Sequence, residues 1–224
     1  MSSAPRIAPV ILFDLDGTLA DSASDLVAAV NDVRCALGLA PIAVEQIRAR
    51  ISGGAKAILT GGLPELPAAA RESKVDALLQ AYRGHIGQHG GLFPGIAAVL
   101  DRIETAGSRW GVVTNKREDL ARIVLERLRL ATRCSVLIGG DTLTRNKPDP
   151  LPVTTACERL GVRASMAVFV GDDPRDVAAG RAAGTRTVAV RWGYHPPGND
   201  PATWGADMVI DTPAQLWSSF ALPV

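Results

Sequence analysis

Short apolar runs rich in Val and Ile recur along the chain, at Val10 to Phe13, Trp110 to Val113, Val136 to Ile138, Ala167 to Val170, Thr187 to Val190 and Val209 to Ile210. They read as near-continuous hydrophobic segments, the pattern of strands buried on both faces. Between most of them lie amphipathic stretches of helical length, Ile96 to Ala106, Glu118 to Leu130, Pro152 to Leu160 and Asp176 to Ala183. Strands alternating with helices through short connections predict a parallel α/β sheet wound with right-handed crossovers. A chain of 224 residues, 47% of them hydrophobic, can bury a core of that kind.

The segment from about Ser22 to Gly91 breaks the rhythm. Leu26, Val30, Val33 and Leu37, and again Val75, Leu78, Leu79 and Tyr82, fall at helical spacing, and no strand is predicted among them. The expected architecture is a Rossmann-like α/β core from residues 1–20 and 93–224, with a small all-helical cap over 21–92 inserted after the first strand. Gly17 and Pro94-Gly95 carry turn chemistry at the two crossings, where the chain could hinge. Tyr194 to Pro201, dense in Pro, Gly and Asn, is expected to form a loop before a last strand and short helix.

Composition narrows the partners. Lys plus Arg, 24, nearly equal Asp plus Glu, 23, so no overall field draws the chain to nucleic acid or an anionic membrane. The apolar stretch Ile7 to Phe13 is too short to span a bilayer and lacks a signal-peptide cleavage pattern. Cys35, Cys134 and Cys157 are odd in number and far apart, signalling neither a disulfide framework nor a zinc site. A cytoplasmic protein, monomer or homodimer, is expected.

In open parallel sheets ligands collect beyond the carboxyl ends of the strands. The first predicted strand is followed by Asp14-Leu15-Asp16-Gly17-Thr18 and the second by Thr114-Asn115-Lys116. The third leads to a loop reaching Lys147-Pro148-Asp149, and the fourth to Gly171-Asp172-Asp173-Pro174-Arg175-Asp176. All four can converge on one crevice. Two carboxylates at one strand end, joined by Asp172 from another, concentrate negative charge that calls for a cation. Oxygen-only ligands with open positions suit Mg²⁺. An EF-hand loop is excluded, because Thr18, Leu19 and Asp25 stand where its acidic or Asn residue, Gly and Glu belong.

The ordered set D-x-D-G-T-L (Asp14 to Leu19), Thr114, Lys147 ahead of Pro148, and G-D-x-x-x-D (Gly171 to Asp176) resembles the haloacid dehalogenase superfamily, specifically its phosphatases with a helical cap. The resemblance spans essentially the whole chain. It implies phosphoryl transfer to Asp14 as nucleophile, with Asp16 as general acid and then base. It also implies Mg²⁺ held by Asp14, the Asp16 main-chain carbonyl and Asp172. Thr114 and the Asn115 N–H would bind phosphate oxygens, Lys147 would offset charge on Asp14 and the transferring group, and Asp176 would orient Lys147 or a metal-bound water. Asp173 stands where many relatives have Ser or Thr, so its extra carboxylate either supports metal binding or faces solvent. Arg117 replaces a proline common after T-N-K in relatives of phosphoglycolate phosphatase.

Ser52-Gly53-Gly54-Ala55-Lys56 follows no strand and is not a nucleotide-binding loop. In the family this cap loop tends to reach the substrate, which makes Gly53, Gly54 and Lys56 candidates for substrate contact, against the alternative of a plain turn between helices. His85 and His89 read as a solvated helix face, and His195 and the scattered Trp residues as loop and core packing.

Asp16 argues against a dehalogenase, since halide leaves without protonation. A phosphomutase shares the motif set, and the complete acid set opposes a non-catalytic binding protein. General similarity points to a 2-phosphoglycolate phosphatase. Ile51 to Ala55, Trp110 to Lys116 and Trp204 to Asp207 also resemble the N-acetylmuramic acid 6-phosphate phosphatases of cell-wall recycling. Either way the partner is a small phosphorylated metabolite.

Overall fold

The computed structural model describes residues 7–196 and 198–221; residues 1–6 of the expected core, Pro197 of the expected loop and residues 222–224 lie outside it. The strands are β1 (Val10–Phe13), β2 (Ala20–Asp21), β3 (Gly91–Leu92), β4 (Arg109–Val113), β5 (Leu137–Ile138), β6 (Ala167–Gly171), β7 (Arg186–Val190) and β8 (Met208–Ile210). The helices are α1 (Ala23–Ala36), α2 (Glu45–Arg48), α3 (Gly54–Gly62), α4 (Ala68–Glu72), α5 (Val75–His85), α6 (Ile96–Thr105), α7 (Glu118–Arg127), α8 (Leu151–Arg159), α9 (Pro174–Ala183) and α10 (Leu216–Ser219). Six strands form one parallel sheet in the order β5-β4-β1-β6-β7-β8. This is the expected α/β, Rossmann-like class.

The strands read as continuous apolar runs because the sheet is covered on both faces. Ile11 and Phe13 of β1 pack in one core layer with α6 and α7 residues such as Leu100 and Val124. Val10 and Leu12 face the other way, with Val153, Ala156 and Ala179 of α8 and α9. One strand thus feeds two layers through its period of two. Helix α7 stops earlier than the apolar pattern suggests, and Arg129, two residues beyond it, has a left-handed φ of 58°.

Between β1 and α6 the chain makes the helical insertion α1 to α5, where Leu26, Val30 and Val33 of α1 share a core with Leu78 and Tyr82 of α5. Its two crossings are pinned to each other. β2 and β3 form an antiparallel pair with Ala20 opposite Leu92 and Asp21 opposite Gly91. Two residues each, one an Asp and one a Gly, carry no strand pattern, so the pair went unpredicted. Among the described residues no helix is long and apolar enough to cross a membrane.

The clasp has a buried polar anchor. Asp25 in the first turn of α1, 3% exposed, accepts N–H bonds from Gly87 and His89 at 2.8 Å each and from Gly90 at 3.1 Å. Asp25→Ala leaves those donors without their carboxylate and is expected to lower the unfolding free energy by about 3 kcal/mol. Urea unfolding measures this, and a loss below about 0.5 kcal/mol would show that the carboxylate does not hold the crossing together.

Candidate active site

The carboxyl edge of the sheet gathers four loops. Asp14 follows β1, Thr114 follows β4, Lys147 lies in the loop between β5 and α8, and Asp172 to Asp176 connect β6 to α9. All border a cavity of about 320 Å³ except Asp172, which lies packed beneath it, and Asp14, Thr114, Lys147, Asp172 and Asp176 are all less than 9% exposed. The opposite wall comes from the helical insertion and includes Ile51, Ile58, Leu78 and Tyr82.

Lys147 is the hub. Its Nζ lies 2.8 Å from Asp14 Oδ1 and 2.6 Å from Asp176 Oδ1, and donates to the Val113 carbonyl at 2.8 Å. Burial works against its charge, yet Asp14 and Asp176 hold its pKa above the ordinary lysine value. The Asn115 side chain fixes the backbone beneath it: Oδ1 accepts from Lys147 N–H at 3.0 Å and Nδ2 donates to the Lys147 carbonyl at 2.9 Å. Thr114 Oγ1 accepts from the Lys116 N–H at 3.2 Å.

Asp172 is held between two loops, Gly17-Thr18 and Gly193-Tyr194. Thr18 Oγ1 donates to its Oδ1 at 3.0 Å and the Tyr194 N–H to its Oδ2 at 2.8 Å. Gly17, at φ 89°, and Gly193 press against the same carboxylate so closely that a Cβ on either would collide with it. Glycine is required at both by close approach. Sequence reasoning missed Tyr194 and Thr18 as site residues, although the Gly193-Tyr194 pair, separated from the end of β7 by two residues, was a usable signal.

Carboxylate oxygens of Asp14, Asp172 and Asp176 lie within 4.8 Å of one another. Burial first, and then the charges of Asp14 and Asp176, push the Asp172 carboxyl well above the carboxylate range. Burial likewise lifts Asp176 to about 7, against the pull of Lys147. Three clustered carboxylates with one ammonium lack positive charge, and the donors are all oxygen. That donor set fits Mg²⁺.

Asp16 belongs to a different environment. Both of its carboxylate oxygens accept from Lys116 Nζ, at 2.9 and 2.7 Å, and Oδ1 also accepts from Ser22 Oγ at 2.6 Å. The Lys116 ammonium sits 4.5 Å from the ring centroid of Tyr82. The Asp16 side chain is therefore apart from the acidic cluster. Lys116 carried no role in the sequence reading, though it adjoins Thr114 and Asn115.

Asp173 neither joins the acidic cluster nor faces solvent. It caps α9, accepting from the Arg175 N–H at 2.9 Å, and pairs with the Arg175 guanidinium at 2.7 and 2.8 Å. Although burial opposes its charge, Arg175 holds Asp173 below the usual carboxylate range. Arg175 also donates to the Ser52 carbonyl, joining core to insertion. Gly53 and Gly54 line the cavity, but Lys56 does not. It lies in the first turn of α3 on the outer face, 72% exposed, paired with Glu72. His85 is not a free solvated residue either, since its Nε2 meets Asp32 Oδ2 at 2.7 Å.

Comparisons with known proteins agree with this geometry. A phosphoglycolate phosphatase of Xanthomonas campestris pv. campestris is 47% identical over 218 residues, 97% of this chain and 99% of that one. An N-acetylmuramic acid 6-phosphate phosphatase of Pseudomonas aeruginosa is 42% identical over 207 residues, 92% of each chain. The crystal structure of a predicted phosphoglycolate phosphatase from Haemophilus somnus matches with a TM-score of 0.81 at 25% identity, covering 94% of this chain and 97% of that one. The family model for haloacid dehalogenase-like hydrolases matches residues 11–190, from within β1 to the end of β7. Spanning five of the six strands of the sheet and every loop that carries a clustered carboxylate, that match makes the chain a member of the haloacid dehalogenase-like hydrolase family.

Proposed function

We propose that the chain is a Mg²⁺-dependent phosphomonoester hydrolase that works through an aspartyl-phosphate. The observation that carries this reading is that the two carboxylates of Asp14-Leu15-Asp16 have separate partners. Asp14 lies against Lys147 in the acidic cluster, while Asp16 is paired with Lys116 and Ser22. That separation supports Asp14 as the group that attacks phosphorus and Asp16 as the group that carries a proton.

An Asp14 oxygen bonds to phosphorus as the ester P–O bond breaks, and Asp16, entering the cycle in its carboxyl form with one oxygen turned from Lys116, gives its proton to the departing alkoxide. A water then attacks the same phosphorus, Asp16 takes its proton, and the Asp14–phosphorus bond breaks to release phosphate. Lys147 offsets charge on Asp14 and the transferring group, and Thr114 and the Asn115 N–H bind its oxygens. Asp14, the Asp16 carbonyl and Asp172 would hold Mg²⁺, with Asp176 orienting Lys147 from its other side. Bound Mg²⁺ would supply positive charge that lets an anionic nucleophile approach an anionic phosphate. Residues 21–92 serve as the cap, and Gly53 and Gly54 contact substrate from it. The three cysteines are free thiols, which suits the cytoplasm.

The substrate that similarity favours is 2-phosphoglycolate, the named substrate of the 47% identical relative. N-acetylmuramic acid 6-phosphate is the second reading, favoured by the 42% identical relative and by a cavity of about 320 Å³ with an apolar wall. The ratio of kcat/KM for the two esters, on one preparation with Mg²⁺, decides between them.

Asp14→Asn is expected to lower kcat/KM by at least about 10³-fold, and full activity in that variant would reject it as nucleophile. Asp16→Asn should reduce kcat by about 10²- to 10⁴-fold while changing phosphate binding far less; rates equal to the parent would remove its role in proton transfer. A chelator should abolish turnover and added Mg²⁺ restore it. Activity that persists after exhaustive chelation would count against a metal at the acidic cluster.

A further inference from the structure

Four cations border the cavity: Lys116, Arg117, Lys147 and Arg175. Three are committed to structure. Lys147 is held by Asp14, Asp176 and the Val113 carbonyl. Arg175 is tied to Asp173 and the Ser52 carbonyl. Arg117 is at the rim, 53% exposed, directed to Asp119 and Asp141.

Lys116 differs. Its side chain is 8% exposed, and among the described residues its ammonium is paired with Asp16 alone, under the ring face of Tyr82 from the insertion. Asp16, on the reading above, must bring a carboxyl oxygen to the leaving group, so it cannot keep both oxygens on Lys116 during turnover. Turning an Asp16 oxygen away leaves the buried ammonium short of a charged partner, beside Tyr82 and the apolar wall. A buried charge without its partner is costly, and a cation–π contact offsets only part of that cost. An anionic group on the organic part of the substrate, facing the insertion, would replace the lost partner.

We infer that Lys116 is a specificity-determining residue that binds a carboxylate on the organic part of the substrate, so that phosphomonoesters bearing a carboxylate are preferred over neutral ones of the same size. The inference rests on the phosphatase reading and deepens it. Each of the two esters considered above carries a carboxylate, beside the ester oxygen in 2-phosphoglycolate and on the lactyl arm across the ring in N-acetylmuramic acid 6-phosphate, and the ammonium is assigned to the carboxylate of whichever ester the site accepts. That assignment also explains why a second buried lysine sits between the strand-end loop and Tyr82, where Lys147 already serves the nucleophile.

The test compares kcat/KM within two pairs, 2-phosphoglycolate against 2-hydroxyethyl phosphate, and N-acetylmuramic acid 6-phosphate against the carboxamide of its lactyl group. The parent enzyme should favour the acid of the pair it accepts by about 30-fold, the range of a charge-assisted contact. Lys116→Gln should bring that ratio close to one, and Lys116→Arg should keep most of it. Equal losses on acid and neutral ester in a folded Lys116→Gln would overturn the inference and leave Lys116 as a positioning residue for Asp16. The parent ratios stand whether or not the variants fold, and turnover of the esters with no preference for the acids overturns the inference alone. No turnover of any of the four overturns the phosphatase reading itself.

Discussion

The ion triplet of Asp14, Lys147 and Asp176 is the contact on which the rest of the site depends. It joins the end of β1, the loop after β5 and the first turn of α9, three pieces of chain that meet only when the parallel sheet is complete. An ammonium buried this deeply is tolerable only beside carboxylates, and the carboxylates only beside the ammonium. The sheet therefore supplies more than a scaffold. By setting β1 between β4 and β6 it fixes the separation at which one lysine can serve two acids. Asn115 completes the arrangement by clasping the Lys147 backbone from the neighbouring strand end.

A second lysine divides the labour. Lys147 and Lys116 each face one member of the Asp14–Asp16 pair, and the two aspartates point into different surroundings although one residue separates them. In an extended strand end, residues two apart would share a face. The extended run ends at Phe13 and the chain bends at Leu15, so Asp16 turns from Asp14 toward Ser22 and the insertion. Gly17, at φ 89°, lets Asp172 close in from β6.

Most of the sheet was legible because burial on both faces leaves an unmistakable apolar signature, and each expected strand lies within a residue or two of an observed one. The acidic residues were legible because their order along the chain resembles a family, not because spacing alone revealed them. What escaped was of two kinds. The β2–β3 clasp uses residues without strand preference, held by the position of their neighbours. Lys116, Arg175 and Tyr194 act through partners far away in sequence: Asp16 is one hundred residues from Lys116, and Ser52 is 123 residues from Arg175. Periodicity records which face a residue presents and is silent on such pairings. Lys56 failed in the opposite direction, since its place in a glycine-rich loop suggested the cavity while its helix turns it outward to Glu72.

Tyr194 shows why the insertion and the acidic cluster form one mechanical unit. Its N–H holds Asp172, while its hydroxyl accepts from the Ala23 N–H at 3.1 Å and donates to Asp21 at 2.7 Å, at the point where the chain leaves the core for α1. Trp192, two residues earlier, donates to the Thr18 carbonyl at 3.1 Å, and Thr18 in turn donates to Asp172. The loop after β7 thereby grips the acidic cluster and the outgoing crossing together. A displacement of the insertion that carried Asp21 away would break the hydroxyl bond and loosen the donor to Asp172. Motion that spares the site must instead pivot beyond Ala23, leaving the β2–β3 clasp in place.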